Sequence, residues 1–223
     1  MFITPDLNQH ACGGSLISDK HVLTSAWCAF ANGQRYVHLG DTILGNDKDV
    51  NFNKTVEVTN KYIHPNYVDV DPFNENNIAI LELAEPVALD QYGNIKPVCL
   101  PVQGADFAGY TATVTGWGEA EEIGISNSWL HEVQVTVFDD CLITPSELCA
   151  GAEQGSEAPC LRDDGGPLVV GDPNVNNNGL TLIGIVGYTD CSSVQTYTKV
   201  SMFIDWINEI IDDSTKCVPP PIF

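Results

Sequence analysis

The chain has 223 residues, 43% of them apolar, with 30 acidic against 9 basic side chains and a formal net charge of -21. That length suits one sizeable domain or two small ones sharing an interface, and the apolar share is that of a globular chain rather than a disordered one. So acidic a surface repels phosphate backbones and anionic lipid, which argues against nucleic acid and membrane and leaves a cationic protein partner, or solubility alone, as its use.

Met1-Phe2-Ile3-Thr4-Pro5-Asp6 lacks the basic start, apolar core and small-residue cleavage site of a secretory leader, and no apolar run is long enough to span a bilayer. Either the leader has been removed or the chain begins inside a longer precursor. Apolar and polar residues then alternate in short runs, as in Val22-Leu23-Thr24, Tyr36-Val37-His38-Leu39, Val56-Glu57-Val58 and Thr111-Ala112-Thr113-Val114. Many short strands and few helical periods predict antiparallel barrels or a sandwich.

Residues 90–103 read as a connector punctuated by Gly93, Pro97 and Pro101, with strand patterns on both sides. We therefore expect a first half over 1–92, a connector over 93–105 and a second half over 106–201. Asn174 to Gly179 is a polar turn and an exposed loop. The helix expected over 202–213 rests on Phe203, Trp206, Ile207, Ile210 and Ile211, spaced as one buried stripe. Three prolines, Pro219 to Pro221, stop any helix in the tail over 214–223.

Eight cysteines spread over the whole length, with no paired Cys-x-x-Cys spacing near histidines, fit disulfides in an oxidising compartment better than a zinc cluster. A secreted, extracellular protein follows. His10, His21, His38, His64 and His131 include no pair at metal-ligand spacing, and Asn53-Lys54-Thr55 is an acceptor sequence for N-glycosylation.

The most informative stretch is Cys160-Leu161-Arg162-Asp163-Asp164-Gly165-Gly166-Pro167-Leu168. It resembles the GDSGGPL signature of trypsin-like serine proteases, with Asp164 in the nucleophile's slot and Arg162 in that of the preceding glycine. Cys12-Gly13-Gly14-Ser15-Leu16-Ile17 followed by Thr24-Ser25-Ala26-Trp27-Cys28 is similar to the family's CGGSLI and TAAHC motifs, with Trp27 where the histidine stands. Asn76-Asn77-Ile78-Ala79-Ile80-Leu81 resembles its DIALL strand, with Asn77 in the aspartate's place. Further matches run through His64-Pro65-Asn66-Tyr67, Lys96 to Pro101, Thr115-Gly116-Trp117-Gly118, Leu148-Cys149-Ala150-Gly151, Tyr197-Thr198-Lys199-Val200 and Phe203 to Ile207, so the resemblance covers nearly the whole chain.

It implies two orthogonal six-stranded antiparallel β-barrels, a C-terminal helix and a cleft between the barrels. It also implies the bridges Cys12 to Cys28, Cys141 to Cys149 and Cys160 to Cys191, each contributing about 2–4 kcal/mol by restricting the unfolded chain. Cys99 and Cys217 remain; they pair with each other, or Cys99 bonds a preceding segment, and the internal pair is favoured because it leaves no odd thiol. The pocket floor maps to Ala158, its cleft-lining backbone to Gly187, Tyr188 and Thr189, and a wall glycine to Gln195, so a filled or distorted pocket with no defined side-chain preference is expected. Relatives pair Asp163 with an inserted N-terminus or, in their proenzymes, with a histidine that maps to His10.

Acyl transfer on this scaffold needs a hydroxyl nucleophile, an imidazole, a carboxylate to hold it and an oxyanion hole. Losing such a set costs about six decades of turnover in an unrelated hydrolase of the same mechanism, or about 8 kcal/mol of transition-state stabilisation. Trp27, Asn77 and Asp164 therefore predict a secreted homologue without catalysis that works by binding: a cofactor, decoy or regulator in an immune or clotting cascade, or a venom or saliva component. The alternatives are a hydrolase using Asp163 and Asp164, and a structural or ligand-carrying protein. No cofactor is expected; Asp41, Asp47 and Asp49 lie in the loop that binds calcium in some relatives but offer no clear set of five or six oxygens.

Overall fold

The computed structural model describes residues 1–4, 12–30, 33–44, 54–70, 73–91, 93–118, 129–138, 144–151, 163–171, 179–187, 194–211 and 217. In the first half, β1 (Phe2–Thr4), β2 (Cys12–Gly13), β3 (Ser15–Leu16), β4 (His21–Thr24), β5 (Tyr36–Leu39), β6 (Lys54–Ile63) and β9 (Ala79–Leu83) form one antiparallel sheet in the order β2-β1-β5-β6-β9-β4-β3. A separate hairpin pairs β7 (Val68–Val70) with β8 (Phe73–Glu75). The second half is a closed barrel of β10 (Thr111–Gly116), β11 (His131–Val137), β12 (Glu147–Gly151), β15 (Val194–Lys199), β14 (Leu180–Val186) and β13 (Pro167–Gly171), in that spatial order.

Both sheets are antiparallel and stand orthogonal to each other, with a helix after the last strand. The first has seven strands rather than the six expected, because Gly14 divides what would be one strand into β2 and β3 at the sheet's two ends. Only Gly14 separates those ends in sequence, so the sheet curls back towards closure. A side chain there would press on the Leu23 carbonyl, 3.2 Å from a built Cβ.

Alternation sets which face is buried. In β5, Val37 and Leu39 point inward; in β6, Val56 and Val58 are buried while Thr55 and Glu57 are exposed. Three apolar clusters result. One fills the first sheet around Val37, Leu39, Leu81 and Leu83, and another fills the closed barrel around Val114, Ile183, Val186 and Tyr197. The third lies where everything meets: Ile78 and Ile80 from the first half, Leu100 from the connector, and Leu182 and Ile185 from the second pack against Phe203, Ile204, Ile207 and Ile211.

That third cluster explains the terminal helix. Its described span is α2 (Ile204–Ile210), preceded by a 3-10 turn at Val200–Met202, with Ile211 closing the last turn through its N–H to the Ile207 carbonyl at 3.0 Å. A second helix, α1 (Ala26–Phe30), was not foreseen from periodicity; five residues are too few to display one. Ser25 starts it, its hydroxyl accepting the Cys28 N–H at 3.3 Å. No described helix is long and apolar enough to cross a membrane.

On β9, Glu82 gathers three donors: Lys20 Nζ and Asn60 Nδ2 at 2.8 Å each and the Tyr62 hydroxyl at 2.9 Å. They hold its carboxyl down at about 2, chiefly through Lys20 and then Asn60. Because the folded pKa lies below the unfolded one, this contribution is full above the usual carboxylate range and is lost as pH falls through about 2. Thermal unfolding followed through acid pH should therefore show a steeper loss of stability in the native chain than in Glu82→Gln. Parallel curves would show that the network contributes nothing to folding.

Candidate functional site

The N-terminal end of α1 lies at the junction of the two halves. Its second residue, Trp27, donates its backbone N–H to Asn77 Oδ1 at 3.1 Å. Asn77 is only 3% exposed, just before β9, and its own carbonyl accepts the Thr198 hydroxyl from β15 at 3.0 Å. The Asn77 side chain thus satisfies one of the helix's orphan amides while its backbone is tied to the other barrel. The Trp27 ring turns outward and is 52% exposed, and Phe30, three residues later on the same short helix, is 65% exposed.

Asp164 belongs to the opposite side of this junction. Its carbonyl accepts the Gly13 N–H at 2.7 Å, and the Cys28 sulfur lies 3.5 Å from the same oxygen. The next residue, Gly165, has φ +77°, and a Cβ on it would lie 2.6 Å from the Gly13 carbonyl oxygen, so only glycine fits this turn. The fold therefore brings Trp27, Asn77 and Asp164 together from three separate stretches of sequence. Burial pushes the Asp164 carboxyl up to about 6, and neighbouring Asp163 adds to the shift.

Asp163 is buried and accepts the Gly118 N–H at 2.8 Å. Its carboxylate occupies the space that side chains on Gly116 and Gly118 would need, which explains both glycines of the Thr115-Gly116-Trp117-Gly118 segment. Gly187 stands beside Asn77: a Cβ on it would sit 3.9 Å from Asn77 Nδ2 and meet nothing closer than 3.8 Å. Gln195 is buried on β15 opposite Ala150 of β12. The remaining expected site residues, Ala158, Arg162, Tyr188, Thr189 and His10, lie outside the described residues.

Cys12 and Cys28 form a disulfide that ties β2 to α1, and Cys99 and Cys217 form another. Cys149 is disulfide-bonded, and Cys141, Cys160 and Cys191 lie outside the described residues. Asp41 raises the pKa of His38 against a stronger lowering by burial, whereas Asp47, Asp49 and Asn53 are outside them. Among the described residues no three His, Cys, Asp or Glu side chains converge on one point. The Thr198 hydroxyl on Asn77 and the exposed Phe30 escaped the sequence reading. Phe30 was within reach of it, since Ser25 is a helix cap and i, i+3 residues share a face.

Two expected outcomes follow from this geometry. Asn77→Leu removes the acceptor of the Trp27 amide and should cost about 0.5–2 kcal/mol in denaturant unfolding, whereas Asn77→Asp, compared at a pH low enough to keep the buried carboxyl neutral, keeps an oxygen there and should cost far less. Equal losses would remove the cap from the account. For Asp164 the folded pKa lies above the unfolded one, so its burial costs nothing in acid, where the carboxyl is neutral in both states, and stability is lost as pH rises from the usual carboxylate range through about 6. Asp164→Asn should accordingly raise the unfolding temperature at neutral pH and make no difference in acid; a variant less stable at neutral pH would contradict this.

The trypsin family profile matches residues 2–207. Among curated proteins, Venom serine protease Bi-VSP of Bombus ignitus is 35% identical over 214 residues, covering 87% of this chain and 57% of that protein. Serine protease ea of Drosophila melanogaster is 32% identical over 91% of this chain and 60% of its own length. Venom protease of Bombus pensylvanicus is 32% identical over 87% of this chain and 83% of its own. The chain thus spans less than two thirds of the first two relatives. Two orthogonal barrels with their junction at Asn77 and Asp164, and a match that runs from the first strand into the terminal helix, place this chain in the trypsin family of serine proteases.

Proposed function

We propose that this chain is a secreted, non-catalytic member of the trypsin family that acts by binding another protein. The observation that carries the reading is the Trp27–Asn77 pair: where the family resemblance places an imidazole and its carboxylate, an amide oxygen caps a helix and an indole faces solvent. An indole N–H can only donate, and a carboxamide bears no charge, so neither takes the proton that acyl transfer must remove from a nucleophile. Asp164, at the nucleophile's position, offers a carboxylate in place of a serine hydroxyl and is a poor acyl nucleophile.

Secretion is supported by the disulfides, which persist in oxidising compartments, and by relatives described as venom proteases. A protein partner is the fitting class because the net charge of -21 disfavours nucleic acid and anionic membrane. Cofactor, decoy and regulator in an extracellular cascade, or a component of a venom, are the roles open to such a protein. One observation favours a second reading, a hydrolase: a carboxyl titrating near neutrality at Asp164 is suited to proton transfer. Its neighbour does not complete a pair, since Asp163 is buried and already engaged by Gly118.

The deciding experiment is a panel of fluorogenic peptides and esters together with an active-site serine label. No turnover and no labelling are expected from the purified chain. Turnover that survives repurification and disappears in Asp164→Ala would overturn the binding reading in favour of the hydrolase.

A further inference from the structure

The described surface also carries a cleft of about 520 Å³, lined by none of Trp27, Asn77 and Asp164 and within the size range of small-ligand pockets. It opens between the start of α2, the turn after β8 and the loop ahead of β12. We propose that this cleft binds an arginine side chain of a basic protein partner, which rests on the protein-binding function above and assigns it a place and a chemistry.

Its apolar wall is aromatic. The His64 ring meets Phe203 and Trp206 edge-on, with both centroid distances 5.1 Å. His64 Nδ1 accepts the Asn66 N–H at 3.3 Å, and burial lowers the pKa of the ring, so it contributes a neutral aromatic surface and no positive charge. Glu75 and Asp205 stand on the lining, both exposed, and neither forms an ion pair among the described residues. Glu147 is not on the lining; burial raises its pKa, and the Glu75 charge adds to the shift. Lys199, at the end of β15, reaches to Asp106 at 3.5 Å.

The remaining polar groups are arranged to accept. Thr144 donates its hydroxyl proton to Glu147 Oε2 at 2.9 Å, so in the 2.9 Å contact between Thr144 and Ser146 the serine must be the donor. Both protons are used, and lone pairs remain. Asn76 donates one of its two amide N–H groups to the Asn66 carbonyl at 2.9 Å, which leaves Oδ1 as an acceptor beside the second N–H. Asn76 has φ +53°, a left-handed conformation that asparagine tolerates. Gln103 is committed to the helix, its Oε1 accepting the Asp205 N–H and its Nε2 donating to the Met202 carbonyl, each at 3.3 Å.

An aromatic wall, two carboxylates with no ion pair among the described residues, and acceptor lone pairs on Thr144, Ser146 and Asn76 match one ligand class. The guanidinium group has five donors and no acceptor, is weakly hydrated, and lies favourably against aromatic rings. An ammonium group satisfies the charge but neither the rings nor the spread of acceptors as well. With 30 acidic against 9 basic side chains, the overall field draws a basic protein to this surface, and the cleft gives one of its arginines a specific seat.

The test is titration of Nα-acetylarginine amide into the isotope-labelled chain, following the tryptophan indole resonances by NMR. Nα-acetylcitrulline amide, of the same shape without the charge, is the control. Saturable shifts centred on Trp206 are expected with the arginine derivative alone, and Glu75→Gln combined with Asp205→Asn should weaken binding by about tenfold or more. Both side chains are exposed, so unchanged thermal unfolding should verify the variant's fold. Equal binding of the citrulline derivative, unaltered affinity in the double variant, or shifts centred on Trp27 would each overturn the proposal. Turnover in the substrate panel would remove the binding function while leaving this titration to decide the cleft by itself.

Discussion

The two halves of this molecule touch backbone to backbone, and that contact constrains everything built at their junction. A Cβ on Gly13 would fall 2.7 Å from Gly166 Cα, and the Gly13 N–H reaches across to the Asp164 carbonyl at 2.7 Å. Gly165 can turn only in its left-handed conformation, with no room for a side chain against Thr24 and Gly13. So close an approach fixes the spacing of the barrels. It also fixes where Trp27, Asn77 and Asp164 stand, because Cys28 and Gly13 belong to the same wall and Asp164 to the facing one.

Such a junction separates what the backbone needs from what the side chains do. The amide at the start of α1 needs an oxygen, and an asparagine provides it as well as an aspartate would. The Asn77 carbonyl needs a donor from the second half and finds it in Thr198. Neither bond requires an imidazole at position 27 or a hydroxyl at position 164. The indole of Trp27 is then free to be solvent-exposed, together with Phe30.

Much of this was legible in the sequence because its signals are local. Alternation in Tyr36 to Leu39 and in Thr111 to Val114 marked strands that the fold contains, and the stripe from Phe203 to Ile211 marked α2. The division of β2 from β3 was not legible, since it depends on Gly14 packing against the Leu23 carbonyl from another strand. Nor was the five-residue α1, whose stability comes from Ser25, Asn77 and the disulfide to Cys12 rather than from a pattern of its own. The His64 cleft was invisible for the same reason. Its motif announced a turn before Pro65, but nothing local says that Glu75, Ser146 and Asp205 meet there.

The distribution of charge separates structural carboxylates from available ones. Glu82 is held by Lys20, Asn60 and Tyr62, and Asp163 by Gly118, so these charges are absorbed by the fold. Asp164 is pushed the other way, towards its neutral form, by burial. With 9 cations for 30 acids, at least 21 carboxylates (30 less 9) have no lysine or arginine of their own. Most of them contribute only to a diffuse field, which attracts any basic protein and is screened within about 8 Å at physiological salt. A field of that kind selects a class of partner and speeds encounter, but it does not choose among members of the class. Selection requires a place where charge, shape and acceptor geometry coincide, and Glu75 and Asp205 beside the rings of His64, Phe203 and Trp206 provide one.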